Sequence, residues 1–187
     1  MSLVGTNTTS DFIDFNKATA IGEKLLKSEK TRIIGLYIIV SINTGLRIGD
    51  ILELQYEDFK GETFKLKEIK TGKKKEIKIN SSIRKALTHF GKLNEGFVFV
   101  SQKGSVYTRQ SINVILKEVF AKEAKKLNIS SHSLRKSFGR KVFENNGESE
   151  KALTYLSELF NHTSPAITRK YLGIRQEELN DIYDCLV

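Results

Sequence analysis

Residues 32–50 read Arg32-Ile33-Ile34-Gly35-Leu36-Tyr37-Ile38-Ile39-Val40-Ser41-Ile42-Asn43-Thr44-Gly45-Leu46-Arg47-Ile48-Gly49-Asp50. A helix is expected from about Thr31 to Asn43, apolar almost all round. A helix without a polar face is a buried one, so this segment should run through the centre of the fold. Gly45 suits its C-terminal stop. Arg47 then follows on a rigid platform, where its planar fork could hold two phosphate oxygens at once. The plain alternative for Arg47 is a solvent-exposed residue at the start of the next helix.

Outward from this stretch, Asn16 is a reasonable N-cap for a helix through Leu25 and Leu26, and a short helix should span Ile48 to Leu54. Residues 62–80 change period. Phe64 and Leu66 alternate with polar residues, as do Ile77 and Ile79 after Thr71-Gly72-Lys73, which predicts a β-hairpin. A third short strand is expected at Phe97–Val100. Helices are expected from Ser81 or Ser82 to about Lys92, Thr108 to Leu127, and His132 to Asn145 closed by Gly147. Three more are expected over Ser149 to Phe160, Ser164 to Leu172 with Pro165 in its first turn, and Gln176 to Leu186. The fold class is therefore α+β, mainly α-helical, with a small three-stranded antiparallel sheet. One domain is expected over residues 14–187, preceded by a flexible segment at residues 1–13.

The chain has 187 residues, one Pro and 39% hydrophobic residues, an ordinary globular composition. Its 31 basic against 22 acidic residues give a formal charge of +9, which favours a polyanionic partner, nucleic acid first. The run Ile33–Ile42 is about half the roughly 20 residues a membrane-spanning helix needs. The opening MSLVGTNTTSDF has neither a basic nor an apolar signal region, so a cytoplasmic, nucleoid-associated protein is expected. The single cysteine, Cys185, excludes a disulfide framework and a multi-cysteine zinc site.

Six residues could carry chemistry. Besides Arg47 there is Lys70, at the tip of the hairpin, able to deliver an ammonium or a proton to a leaving oxygen. Its neighbours Lys73, Lys74, Lys75 and Lys78 read as solvated or generic backbone contacts. His132 and Arg135 lie three apart, one turn along one helical face, with Leu134 and Phe138 facing the other way. His162 follows in Phe-Asn-His-Thr-Ser-Pro, and Tyr171 stands nine residues later beside Arg169 and Lys170. A phenol is a weak nucleophile with a pKa of about 10 and needs cationic surroundings. Tyr171 alone could equally be a half-buried packing residue. There is no metal-ligand spacing, no phosphate-cradling Gly-rich loop and no poised carboxylate pair. A cation-rich set with one covalent nucleophile suits phosphodiester cleavage without metal or nucleotide, so no cofactor and no small-molecule substrate are expected.

The ordered set Arg, hairpin Lys, His-x-x-Arg, His, Tyr resembles the catalytic domain of the tyrosine recombinases, the phage integrase family, over about residues 15–186. The most specific parts are Thr44-Gly45-Leu46-Arg47, His132-x-x-Arg135 and His162 through Tyr171. The resemblance implies that Tyr171 attacks the scissile phosphate to give a 3′-phosphotyrosyl link and a free 5′-hydroxyl. It implies that Arg47 and Arg135 hold the phosphate, Lys70 protonates the leaving oxygen, His132 gives acid/base support, His162 hydrogen-bonds the phosphate, and Asp50 buttresses Arg47. It further implies double-stranded DNA as partner and a tetrameric synapse in the full-length protein. Backbone contacts are expected from Lys73, Lys74, Arg109, Lys136, Arg140 and Arg169. The family usually has Leu-Gly before the second histidine; here Phe160-Asn161 stands there, and Asn tolerates the left-handed conformation a glycine would supply. The N-terminal core-binding domain of the family is expected to be absent, and a tail helix at about residues 175–187 to dock in cis or on a neighbour. The alternatives are a type IB topoisomerase and a non-catalytic DNA-binding regulator.

Overall fold

The computed structural model describes residues 10–91, 95–122 and 127–185. Helix α1 (Phe15–Leu26) packs against α2 (Arg32–Thr44). Its cap is Asp14, two residues before the expected Asn16, because the Asp14 carboxylate accepts a hydrogen bond from Lys17 N at 2.8 Å. Every residue of α2 from Ile34 to Ile42 is buried. Gly45 ends it with φ +60°, and a β-carbon there would run into the Phe138 ring. Arg47 caps the short helix α3 (Ile48–Leu52), so the polar end of the buried helix hands directly to the first candidate residue.

The hairpin has two strands, β1 (Thr63–Lys67) and β2 (Lys74–Lys78), paired antiparallel with Phe64 opposite Ile77 and Leu66 opposite Lys75. Phe64 and Leu66 press it onto the core. The expected third strand does not form. Phe97 and Val100 make isolated bridges with Gln55 and Val106, because this segment pairs with irregular chain rather than with the hairpin. The sheet therefore has two strands, not three.

Helices α4 (Ser81–Leu87), α5 (Arg109–Val119), α6 (Ser131–Asn145), α7 (Glu150–Phe160), α8 (Pro165–Leu172) and α9 (Ile174–Asp184) complete the chain. Side-chain caps at Asn80, Thr108, Ser130, Ser149 and Ser164 set the starts of α4 to α8, and α9 follows Gly173 without one. The expected helix ends at Lys92 and Leu127 are not reached: α4 gives way to a 3₁₀ turn at Thr88–Phe90, and α5 stops at Val119. Lys92 lies outside the described residues. The segment expected to be flexible is anchored where it is described. Ile13 is buried, Asp11 pairs with Asn128 through both backbone and side chain, and Ser137 binds the Ile13 backbone. Residues 1–9 lie outside the described residues.

Among the described residues two hydrophobic clusters result. The larger surrounds α2; the smaller joins Phe143, Leu153, Leu156, Phe160, Leu172 and Ile174, with Tyr171 at its edge. Helix α6 walls both, with Leu134 in the first and Phe138 against the second.

The α1–α2 contact rests on paired glycines. A methyl group at Gly35 would lie 2.7 Å from Gly22 O and 2.8 Å from Leu26 N, backbone atoms that cannot rotate away. Gly35→Ala gains about 1 kcal/mol of helix propensity, but overpacking costs about 1–3 kcal/mol and forces the two helices apart, which weakens their packing further. Its urea midpoint should therefore fall, with an unchanged denaturant slope; a rise would refute the close approach.

Candidate active site

Arg47 and Arg135 reach the seam between the clusters from opposite sides. Arg47 NH2 donates to Phe160 O at 2.9 Å, and Arg135 NH2 donates to the same oxygen at 3.3 Å. Arg135 NH1 also donates to Gly45 O. The Arg135 guanidinium lies over the Phe160 ring, 4.2 Å from its centroid. Arg135 is thus buried behind an aromatic face rather than displayed on an open polar one, and burial lowers its pKa to about 10.

Tyr171 sits against the same phenylalanine. Its ring meets Phe160 edge-on at 5.7 Å and His162 at 5.2 Å, and Lys136 Nζ stands 5.3 Å from its centroid. Its hydroxyl is buried and makes no hydrogen bond of full geometry to the described residues. Burial pushes the hydroxyl above its ordinary pKa; the charges of Arg135 and Arg47 act in the opposite sense without offsetting it. In the free chain the phenol is protonated.

His162 Nδ1 lies 2.9 Å from Thr168 Oγ1, which is fully buried. Burial and then the charges of Arg135, Arg47 and Lys70 hold His162 down to about 4, so it is neutral at pH 7. The residue before it, Asn161, takes the left-handed conformation at φ 54° and ψ 45°. That conformation lets His162 N return to Ser157 O at 2.9 Å and close α7. His132 is exposed at the rim of the cleft that contains Tyr171. Partial desolvation and the charges of Arg135, Lys136, Arg47 and Lys70 lower its pKa. Lys70 is exposed at the hairpin tip and adds to the positive field at both histidines.

Two site residues escape the sequence reading. Glu68 is buried, and its Oε1 accepts from Arg47 NH1 at 2.9 Å and from Lys75 Nζ at 2.7 Å. Its Oε2 accepts from Thr71 Oγ1 at 2.6 Å and from Asn161 Nδ2. Lys75 also donates to Leu159 O, so it is a site residue and not a generic surface lysine. Strand parity is the signal for both. Phe64, Leu66 and Glu68 share one face of the hairpin with Lys75, Ile77 and Ile79, and that face turns inward.

Asp50 has a different task from the one expected. Its Oδ1 accepts from Ile69 N at 2.9 Å and pins the hairpin tip, while Glu68 is the carboxylate paired with Arg47. Three expected DNA-contact residues are engaged inside the protein. Lys136 is buried and binds Ser10 O at 2.6 Å. Arg140 stacks on Phe12 and binds Leu172 O and Glu177, and Arg169 bridges Glu150 and Glu178. Lys73, Lys74 and Arg109 are exposed, with Arg109 lying over Gly49. Among the described residues no cluster of side chains could hold a metal ion, and no helix is long and apolar enough to cross a membrane.

The profile of the Phage integrase family matches residues 11–178. The chain belongs to the phage integrase family. This family member is 32% identical over 150 residues to a Bacillus subtilis protein named "Probable integrase/recombinase YoeC", covering 78% of this chain and 80% of that one. It is 27% identical over 177 residues to tyrosine recombinase XerD of Listeria innocua, covering 86% of this chain but 58% of that protein. The fold is that of XerA recombinase (TM-score 0.71, 17% identity, 98% of this chain and 66% of that one). It is equally that of XerH recombinase bound to a palindromic difH substrate after cleavage (TM-score 0.70, 21% identity, 98% and 56%). Relatives named as integrases and recombinases favour the recombinase reading over the topoisomerase and regulator alternatives.

The depressed histidines set a pH dependence. A His with a folded pKa near 4 against an unfolded value of about 6.5 binds more protons when unfolded. Its penalty is absent above about pH 6.5 and grows as pH falls toward 4. The urea midpoint should drop over that window, and His162→Gln should flatten the drop. An identical slope in the variant would refute the cationic, desolvated environment of His162.

Proposed function

We propose that this chain cleaves and rejoins double-stranded DNA as the catalytic part of a site-specific recombinase. The observation that carries the reading is the convergence on Phe160 of two guanidiniums, at its carbonyl oxygen, and of one neutral histidine and one buried phenol, against its ring. Tyr171 Oη attacks the scissile phosphorus; the P–O5′ bond breaks, leaving a 3′-phosphotyrosyl link and a 5′-hydroxyl. Arg47 and Arg135 stabilise the charge that grows on the non-bridging oxygens. Lys70, at an exposed tip, closes on the DNA and gives its proton to the leaving 5′-oxygen. His132 at the cleft rim takes the phenolic proton through the phosphate region or directly. Neutral His162, held at Nδ1 by Thr168, offers its other ring nitrogen to the phosphate. The diester energy stays in the phosphotyrosyl bond, so a second 5′-hydroxyl can reverse the step.

The test is covalent capture from a library of nicked duplexes of randomised sequence, with the bound strands recovered under denaturing conditions. Wild type should yield a protein–DNA adduct and Tyr171→Phe none. Arg47→Ala and Arg135→Ala should each slow its formation about 10²–10³-fold, the scale of losing one preorganised donor. Adduct formation by Tyr171→Phe would end the assignment of the nucleophile.

Self-association on DNA is part of the same proposal. Helix α9 is held in cis by Arg140–Glu177 and Arg169–Glu178, yet Leu179, Ile182 and Tyr183 along it are exposed. Surface ion pairs hold a segment weakly, which leaves it free to exchange onto a neighbour. Deleting residues 175–187 should reduce multi-protomer complexes on DNA, seen by native gel or mass photometry, more than it reduces single-site cleavage. Equal losses of both would count against a role of the tail in assembly.

A further inference from the structure

Glu68 draws together three separate parts of the chain. Through Oε1 it binds Arg47, at the junction of α2 and α3, and Lys75 on β2. Through Oε2 it binds Thr71 in its own hairpin tip and Asn161 in the turn between α7 and α8. Its backbone closes the tip as well: Glu68 N donates to Lys73 O at 2.9 Å and Gly72 N donates to Glu68 O at 2.8 Å. The side chain is wholly buried. Burial alone would raise its pKa, but the donors from Lys75 and Thr71 and the charges of Lys75 and Arg47 outweigh it and keep the carboxylate ionised. A buried carboxylate is stable only when its lone pairs are met, and here four side-chain donors meet them.

A glycine at 161 would satisfy the left-handed turn. Asparagine satisfies it too and adds an amide that reaches Glu68, so the turn preceding His162 is tied to the hairpin carrying Lys70. We propose that Glu68 is a positioning residue for strand cleavage: through Arg47 on one side and Asn161 on the other, its carboxylate registers the Lys70 hairpin against the turn that precedes His162. This rests on the cleavage reading above. The role is one of placement, because a fully buried carboxylate beside both an arginine and a lysine cannot touch the reacting phosphate without dismantling the contacts that hold it. Its charge also opposes phosphate binding, so the protein accepts weaker ground-state attraction for a fixed geometry.

Two readouts decide the matter. The first needs no DNA. N161D sets two carboxylates within hydrogen-bond distance, and the double variant N161D/E68Q removes the repulsion because the Gln amide can donate to the new acid. In N161D, amide hydrogen exchange at Glu68 and Gly72, on a different element from the substitution, should rise about tenfold or more at pH 7. In the double variant it should return to that of E68Q alone. Wild-type exchange at the hairpin in N161D, or no recovery in the double variant, would overturn the coupling. The second readout uses the duplex recovered by covalent capture. E68Q should slow single-turnover adduct formation about tenfold or more while its DNA affinity stays equal or tightens. A rate within about twofold of wild type, or a loss of rate matched by loss of affinity, would overturn the positioning role. Thr71→Val, which removes one donor and keeps the charge, serves if E68Q does not fold, with a smaller slowing expected and an unchanged rate again decisive against it. A wild-type chain that gives no Tyr171-dependent adduct would sink the cleavage reading, while the exchange measurements would still decide whether Glu68 couples hairpin and turn.

Discussion

Two guanidiniums sharing one carbonyl oxygen is the constraint around which this molecule is arranged. Like charges at 4 Å repel by about 4 kcal/mol at an effective dielectric of 20, so a site built from arginines and lysines needs internal negative charge to hold it. Phe160 O supplies part of that. It ends α7, where the unpaired carbonyls carry the negative end of the helix dipole, and it receives Arg47 from one side and Arg135 from the other. The Phe160 ring faces Arg135 and meets Tyr171, so the backbone and side chain of one residue order both the cations and the phenol.

The two core clusters explain why the parts arrive from distant stretches. Arg47 follows Leu46 of the cluster around α2, to which the hairpin also belongs, whereas Tyr171 packs on the smaller one around α7 and α8 and His162 lies against its Phe160. Helix α6 touches both and carries His132 and Arg135. A change in how the clusters meet would move Tyr171 relative to Arg47 without unfolding either. The polar contacts that cross the seam, at Phe160 O, Leu159 O, Glu68 and Asn161, are therefore the ones that, on the proposed chemistry, set reactive geometry.

Much of this is legible in residue patterns. The all-round apolar run Ile33–Ile42 announces a buried helix, the alternation at residues 62–80 a hairpin, and Ser, Thr and Asn before apolar runs the helix starts. The six candidate residues stand out through their order. What stays hidden depends on tertiary distance. That Asp50 holds Ile69 N while Glu68 holds Arg47 is a choice between two nearby acids that no local pattern encodes. Lys75 reads like its solvated neighbours although strand parity separates it from Lys74. Arg140, Arg169 and Lys136 resemble DNA contacts because basic residues near a site usually face solvent; their partners Phe12, Glu150, Glu178 and Ser10 lie up to 128 positions away. The anchoring of residues 10–13, by the buried Ile13 side chain and by hydrogen bonds to Asn128, Lys136 and Ser137, is likewise long-range, with no periodic trace.

The buried, protonated hydroxyl of Tyr171 bears on when the chain is dangerous to a genome. On the chemistry proposed, a phenol kept neutral under aromatic cover ignores the vast excess of ordinary phosphodiesters it brushes past. Reactivity is then licensed by the substrate itself, whose backbone must enter the cationic seam before any proton leaves. The resting protein can be abundant without scattering covalent lesions along the chromosome.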